Sequence, residues 1–174
     1  KLCRRYIYGF NSSDTTHNGW YEICSISTTA AYKTYSTRLR ISSDDFVNFL
    51  VPTIDVTIKF ITKSANTLPE ARVHFNSSIT DRWTNLFGLL YAKYNSTAPS
   101  SGGTCTIYFN KTAAYQKIVV DVLDEIVRGS TSLLTNYQNV WTFVTSNTFV
   151  SSVTQTGFQI KGFNALVDNG LIGS

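Results

Sequence analysis

Residues suited to acid–base chemistry are few and scattered along this 174-residue chain. Its two histidines are His17, in a polar turn, and His74, in an alternating run, and no G-x-S-x-G sequence places a serine nucleophile on a sharp turn. The carboxylates occur as Asp44-Asp45, Asp121 and Asp124-Glu125. A glycosidase needs two acids facing one pocket, whereas successive strand residues point to opposite faces. We therefore expect no catalytic residues and no enzyme activity.

Metal and cofactor chemistry has no motif in the sequence either. The three cysteines, Cys3, Cys24 and Cys105, lack the short spacing of a zinc site. Ser101-Gly102-Gly103 lacks the lysine and the helix of a phosphate-binding loop. We expect no metal, no cofactor and free, mostly buried thiols in a protein that folds in a reducing compartment. One disulfide with one loose thiol is the alternative.

Clusters of aromatic rings beside amides and hydroxyls are the remaining candidates for chemistry. Such a pairing suits sugar recognition, because a ring packs against the apolar side of a pyranose while amides and hydroxyls bond its OH groups. The same pairing occurs in ordinary β loops, where Trp and Tyr are half-buried. Trp20 lies inside a strand run and is expected in the core. The candidate ligand-binding residues are Trp83, Asn85, Tyr94, Asn95, Asn136, Tyr137, Asn139 and Trp141.

Composition and charge exclude several classes of partner. Hydrophobic residues make up 43% of the chain and charged residues only 15%, so a core can form and Ser, Thr and Asn must supply much of the polar surface. The net charge of +4 is scattered and forms no basic stripe for nucleic acid. No apolar run approaches the roughly 18 residues that a membrane span needs. We expect neither nucleic-acid binding nor membrane insertion.

Alternation of apolar and polar residues with a period of two predicts β-strands through most of the chain. The alternating segments are residues 35–41, 54–60, 71–75 and 105–109. Other segments are apolar on both faces, which is typical of a sandwich interior or of a contact with another subunit. These segments are residues 20–26, 86–91 and 118–123. A helix is an alternative over residues 121–128, although the β-branched run before them favours a strand, and a short helix is possible over residues 130–137.

The strand segments together predict one all-β domain. Turn residues separate the runs, and the longest irregular segment is Asn95 to Gly103. The runs correspond to about nine strands, without an internal repeat or a domain boundary. We predict a single antiparallel β-sandwich of jelly-roll-like type over residues 1–174. Apolar surface beyond what one sandwich hides favours a homotrimer. Because the chain contains no Met, we expect it to be a fragment of a longer polypeptide.

Five segments follow an order that resembles a known group of recognition domains. Asn18–Ser27 (NGWYEICSIS) is similar to a "G-W-Y-K-I-A-T-I" opening strand, and Tyr35–Ile41 and Ile54–Ile61 follow it. Cys105–Lys111 and then Ala114–Val120 resemble an "i-x-l-y-v-k … a-Y-x-x-I-x-V" pairing. This order resembles the C-terminal, receptor-binding tip domains of phage-type tail fibres, including phage-derived adhesive fibres of bacteria.

The resemblance covers about residues 18–125, and the region after Arg128 has no counterpart. It implies a homotrimer, a host-surface receptor that is a cell-envelope glycan or another envelope receptor, and no enzymatic cofactor. It also implies a place on a virion tail fibre or an extracellular fibre, with folding in the bacterial cytoplasm and residues 1–17 as a candidate linker to the shaft. The alternatives are a polysaccharide-degrading domain of a tail spike, a purely structural trimerisation domain and a eukaryotic viral attachment glycoprotein.

Overall fold

The alternating segments fold as β-strands, as expected for runs rich in β-branched and aromatic residues. The computed structural model describes residues 4–9, 19–44, 53–75, 90–111, 117–129, 140–145, 149–150 and 157–163. The strands in these ranges are β1 (Arg4–Gly9), β2 (Gly19–Thr28), β3 (Lys33–Asp44), β4 (Thr53–Ile61), β5 (Glu70–Phe75), β6 (Leu90–Asn95), β7 (Gly103–Lys111), β8 (Lys117–Gly129), β9 (Thr142–Phe143), β10 (Phe149–Val150) and β11 (Phe158–Phe163).

The all-β antiparallel sandwich is confirmed, and these described ranges contain no helix. Residues 121–128 belong to strand β8, so the helical alternative there is wrong. The predicted number of about nine strands is lower than the eleven in the described ranges. Strands β9 and β10 contain two residues each and are too short to show a period in the sequence. The predicted short helix at residues 130–137 lies outside the described residues.

Sheet A contains five strands in the order β1-β8-β3-β4-β5, all antiparallel. Its longest pairing joins β3 to β8, from Lys33 opposite Gly129 to Asp44 opposite Lys117. Strand β1 lies within the predicted linker 1–17 and pairs with β8, so that part of the segment belongs to the sheet. The buried apolar residues of sheet A are Tyr8, Tyr35, Leu39, Ile41, Val56, Ile58, Phe60, Ala71, Val73, Ile118, Val120, Val122 and Val127.

Sheet B follows the order β10-β2-β7-β6-β11, and the short β9 also pairs with β2. A β-bulge interrupts the β2–β7 register between Glu22 and Cys24. The extra residue of a bulge shifts the alternation by one position, which agrees with the full burial of both Ile23 and Cys24. The buried apolar residues of the long strands in this sheet are Tyr21, Ile23, Cys24, Ile26, Leu90, Ala92, Tyr94, Cys105, Ile107, Tyr108 and Phe109.

Polar groups cross the core between the two sheets. The Tyr8 hydroxyl of sheet A lies 3.2 Å from the Ile23 carbonyl oxygen of sheet B and 3.0 Å from that of Val144. Cys24 and Cys105 are buried free thiols, as predicted, and burial raises the pKa of both. The predicted state of Cys3 concerns a residue outside the described ranges. The two Tyr8 contacts join the sheets across the core, and they give the hydroxyl of this buried tyrosine its hydrogen-bond partners.

A second β-bulge brings a carboxylate into this core. Opposite Arg38 and Leu39 the β3–β8 register shifts, so Glu125 faces inward where strict alternation would place Asp124. Glu125 is fully buried. Its Oε2 accepts a hydrogen bond from Arg4 Nη2 at 2.8 Å, and its Oε1 accepts one from the Trp141 backbone N–H at 3.2 Å. Glu125 therefore connects β8 to the edge strand β1 and to the segment before β9.

Substitution of Arg4 or of Glu125 should show which of the two charges contributes more to the stability of the fold. Arg4→Gln leaves a fully buried carboxylate without its cation and should cost about 3 kcal/mol. Glu125→Gln leaves an arginine whose side chain is 29% exposed and can reach water, so its cost should be smaller. In the double variant the two costs should not add. Urea unfolding at one protein concentration measures all three.

Arg5→Gln is the matched control for this experiment. Arg5 is on the same strand and pairs with Asp121, but its side chain is 65% exposed, so its loss should cost about 0–1 kcal/mol. An Arg4→Gln variant no less stable than Arg5→Gln would contradict the role assigned to Glu125.

Candidate functional site

The outer surface of sheet B carries the main aromatic cluster that faces away from the core. Because Tyr21 and Ile23 point inward, their strand neighbours Trp20 and Glu22 point outward. Tyr108 lies directly opposite Glu22 on β7, and Tyr91 lies directly opposite Tyr108 on β6. We call this surface, with Trp20, Glu22, Tyr91, Lys93 and Tyr108, the aromatic face.

Two rings of the aromatic face, Trp20 on β2 and Tyr91 on β6, contact each other across strand β7. The ring centroids of Trp20 and Tyr91 are 4.1 Å apart, with an interplanar angle of 88°, which is an edge-to-face contact. Trp20 and Tyr91 are half-buried, whereas Tyr108, on the strand β7 that separates β2 from β6, is 7% exposed. Solvent therefore reaches only part of the Trp20 and Tyr91 rings and very little of Tyr108.

Opposite charges accompany these rings. Burial raises the pKa of Glu22 and the nearby Lys93 ammonium lowers it in part. Burial likewise lowers the pKa of Lys93, and Glu22 raises it in part. Lys93 Nζ also lies 4.7 Å from the centroid of the Phe158 ring, within the range of a cation–π contact. Glu22 is half-buried, and Lys93 is buried at 8% exposure, so the face combines a half-buried carboxylate and a buried ammonium with aromatic surface.

Hydroxyl groups complete the polar part of the face. Burial raises the pKa of Tyr91 and of Tyr108, so both phenols keep their protons at neutral pH and can donate hydrogen bonds. The Glu22 carboxylate accepts hydrogen bonds and the Lys93 ammonium donates them. Together these groups can bind a polyhydroxylated ligand with one apolar side, which is the chemistry of a sugar ring.

The residues selected from the sequence lie elsewhere. Trp83, Asn85, Asn136, Tyr137 and Asn139 lie outside the described residues. Their role in ligand binding stays a prediction.

Three selected residues are described, and each has a structural contact. Tyr94 is 8% exposed and Trp141 is 2% exposed, and both belong to the core. The Asn95 side-chain oxygen accepts hydrogen bonds from the Thr104 backbone N–H at 2.6 Å and from its hydroxyl at 3.1 Å, which closes the loop between β6 and β7. At Gly102 in that loop, φ is +67° and an added Cβ would lie 1.9 Å from the Thr28 carbonyl oxygen. Ligand binding by Tyr94, Asn95 and Trp141 stays a prediction. The candidate site does not include these three residues.

The prediction that Trp20 lies in the core is wrong, and this error explains why the aromatic face was missed. The run from residue 20 to 26 is apolar at both parities, so the sequence alone does not indicate which residues point outward. The signal was nevertheless present, since runs that are apolar on both faces were interpreted as sandwich interior or as a contact with another subunit. His74, by contrast, faces solvent on sheet A, as predicted.

Two findings on the described ranges concern metal ligands and membrane-spanning helices. They contain no group of three His, Cys, Asp or Glu side chains placed to bind a metal ion. They also contain no helix with the length and apolar character needed to cross a bilayer.

Comparison with known proteins shows no family and gives one weak structural similarity to report. No protein-family model matches the chain, and no curated protein matches it. Among solved structures, the chain is similar to WceF of Pantoea stewartii, described as a glycan biofilm modifying enzyme with a bacteriophage tailspike-like parallel β-helix fold. The TM-score is 0.44 and the identity 8%, over 92% of this chain and 22% of that protein. The chain therefore spans less than a quarter of that protein's length.

This finding corrects the expectation that the chain is not an enzyme. WceF is described as an enzyme, and the expectation of no enzyme activity is therefore withdrawn. The likeness assigns no reaction and no catalytic residue to this chain. The β-helix in that description is parallel, whereas the strand pairs of the residues described here are antiparallel.

The coupling between Glu22 and Lys93 can be measured directly. Lys93→Gln removes the ammonium that lowers the pKa of Glu22, so this pKa should rise further above its ordinary value. Because the folded-state pKa exceeds that of the unfolded chain, the variant should lose stability as pH rises through the Glu22 titration. Carbon-detected NMR of the Glu22 carboxyl during a pH titration measures the shift. Lys59→Gln on sheet A is the control, and an equal shift in both variants would contradict the coupling.

Proposed function

We propose that this chain is a glycan-binding attachment domain, the receptor-binding tip of a trimeric fibre of phage-tail type. The observation that carries the proposal is the half-buried Trp20 and Tyr91 pair beside Glu22 and Lys93 on one face of sheet B. The resemblance of the strand sequences to tail-fibre tip domains supports the fibre setting, the trimer and a cell-envelope glycan as receptor.

A sugar would bind on this face through both parts of its surface. The apolar side of a pyranose packs on the exposed parts of the Trp20 and Tyr91 rings. Glu22 accepts hydrogen bonds from sugar hydroxyls, while the hydroxyl of the half-buried Tyr91 donates to sugar oxygens. Since Glu22 and Lys93 are already partly desolvated, the extra desolvation cost of binding is small. The edge-to-face contact fixes the two rings before the ligand arrives, which lowers the entropy lost on binding.

Trimerisation strengthens attachment to a surface without a change in the contacts of any single site. A single shallow sugar site binds weakly, with dissociation constants in the range of about 1 mM. Three copies on one fibre tip engage a repetitive surface together, and the avidity can exceed single-site affinity by roughly 10²–10⁴. A weak, open face is therefore compatible with firm attachment of a whole fibre.

Loss of either ring should weaken glycan binding. Trp20→Ala and Tyr91→Ala each remove stacking surface and should reduce affinity for the best glycan on an array by about tenfold, or about 1.4 kcal/mol. Surface plasmon resonance with that glycan measures the change. Tyr32→Ala is the matched control, because Tyr32 is a tyrosine with 57% exposure that is not part of the aromatic face. Unchanged affinity in folded Trp20→Ala protein would contradict this site.

The same variants separate glycan binding from a subunit contact. If the aromatic face were a trimer interface, Trp20→Ala would dissociate the oligomer in sedimentation equilibrium, and glycan binding by the subunits would persist. A glycan site predicts the reverse, an intact oligomer with weakened binding. Release of reducing ends from host-envelope polysaccharide by the wild-type protein would instead favour the alternative, a polysaccharide-degrading domain of a tail spike.

A further inference from the structure

The outer surface of sheet A carries many of the described charges, and at one end these charges alternate in sign. Arg5, Asp121, Arg40 and Asp55 lie directly opposite one another on β1, β8, β3 and β4. Arg5 Nε lies 2.7 Å from Asp121 Oδ1, and Arg40 Nε lies 2.9 Å from Asp55 Oδ1. The arginines hold the pKa values of Asp121 and Asp55 below their usual range. Charges in this row are therefore neutralised within the protein.

At the other end of the same surface, the charges do not alternate in sign. Lys59 on β4 lies directly opposite Arg72 on β5, and Ser36 on β3 lies on the other side of Lys59. Side chains directly opposite on antiparallel strands have Cβ atoms about 5 Å apart, and like charges at that distance destabilise a sheet. A cavity of about 240 Å³ opens at this place. Its lining residues are Thr34, Ser36, Lys59, Ile61, Arg72, His74, Ile126 and Arg128.

The lining of this cavity has an excess of positive charge. Arg72 pairs with Glu70, but Glu70 also pairs with Lys63 at 3.0 Å, so one carboxylate serves two cations. Within the described part of the chain, Lys59 and Arg128 have no carboxylate within salt-bridge distance. Burial lowers the pKa of His74, and the positive charges of Lys59 and Arg72 lower it further. Among the residues that the structure describes, cations therefore outnumber carboxylates at this cavity.

We propose that this cavity binds an oxyanion group, a carboxylate, sulfate or phosphate carried by a ligand. A bound oxyanion would relieve the repulsion between Lys59 and Arg72, and the Arg128 guanidinium can bond two of its oxygens at once. The Thr34 hydroxyl lies in the register position opposite Arg128 and can donate to the same group. The strands of a paired sheet fix the spacing of these side chains, so the charges are in place before the ligand arrives.

This anion site is separate from the aromatic face. The cavity lies on the outer surface of sheet A, whereas the aromatic face lies on the outer surface of sheet B, with the core between them. The inference therefore does not depend on glycan binding by Trp20 and Tyr91. The two sites together would select for polymers that carry both apolar sugar surface and acidic groups.

The test uses the whole chain and simple anions as probes. Inorganic phosphate, sulfate and glucuronate are titrated at constant ionic strength, with chloride as the balancing salt, and the ring signals of His74 are followed by carbon–proton NMR. We expect a saturable shift with phosphate, sulfate or glucuronate and none with added chloride. Lys59→Gln and Arg128→Gln should each weaken binding by about tenfold, since each removes a charge-assisted contact. Arg5→Gln, an equal change of charge on the same surface, should leave binding unchanged.

The outcomes are distinct. A larger response to glucuronate identifies acidic sugars as the source of the anion, and a larger response to phosphate or sulfate identifies a tetrahedral group; both support the site. A non-saturable shift, an equal response to chloride, or equal weakening by Arg5→Gln and Arg128→Gln would reduce the effect to general charge screening and overturn the proposal. Because all three substitutions are on the exposed sheet surface, circular dichroism should show wild-type folding in each.

Discussion

The arrangement of the sandwich depends on the interactions of one buried group, the carboxylate of Glu125. It is fully buried, and it bonds Arg4 of the edge strand β1 and the backbone of Trp141. A buried charge without a partner is strongly unfavourable, so this carboxylate requires β1 and the segment at Trp141 to be in place together. Its ion pair is thus a condition for a single packing of the core, and the two outer surfaces that carry the proposed sites depend on that packing.

The two β-bulges determine which side chains those surfaces present. In β8 the shift opposite Arg38 and Leu39 turns Glu125 inward, and in β2 the shift after Glu22 lets Ile23 and Cys24 both enter the core. The proposed functions follow from the outward residues of each sheet. Sheet B presents rings beside a coupled carboxylate and ammonium, and sheet A presents an excess of cations. According to the two proposals, one fold thereby binds a sugar ring on the outer surface of sheet B and an oxyanion on the outer surface of sheet A.

Much of the fold could be predicted from the sequence because period-two alternation is a local signal. The runs around Val56 and Ile107 fold as predicted, with apolar residues inward. The sites could not be predicted in the same way, because they depend on register and on the bulges. Nothing local shows that Glu125 rather than Asp124 is buried, or that Lys59 lies opposite Arg72. The predicted sugar clusters used neighbours in sequence, whereas the aromatic face joins residues from three strands.

Chemical-shift mapping tests the central claim, that the outer face of sheet B binds the receptor glycan. The backbone amides of the assigned protein are followed while an oligosaccharide from the best-binding glycan is added. The account predicts that the largest shifts lie on β2, β6 and β7 at and beside Trp20, Glu22, Tyr91, Lys93 and Tyr108. Saturable shifts confined to any other surface, with these residues unchanged, would contradict it.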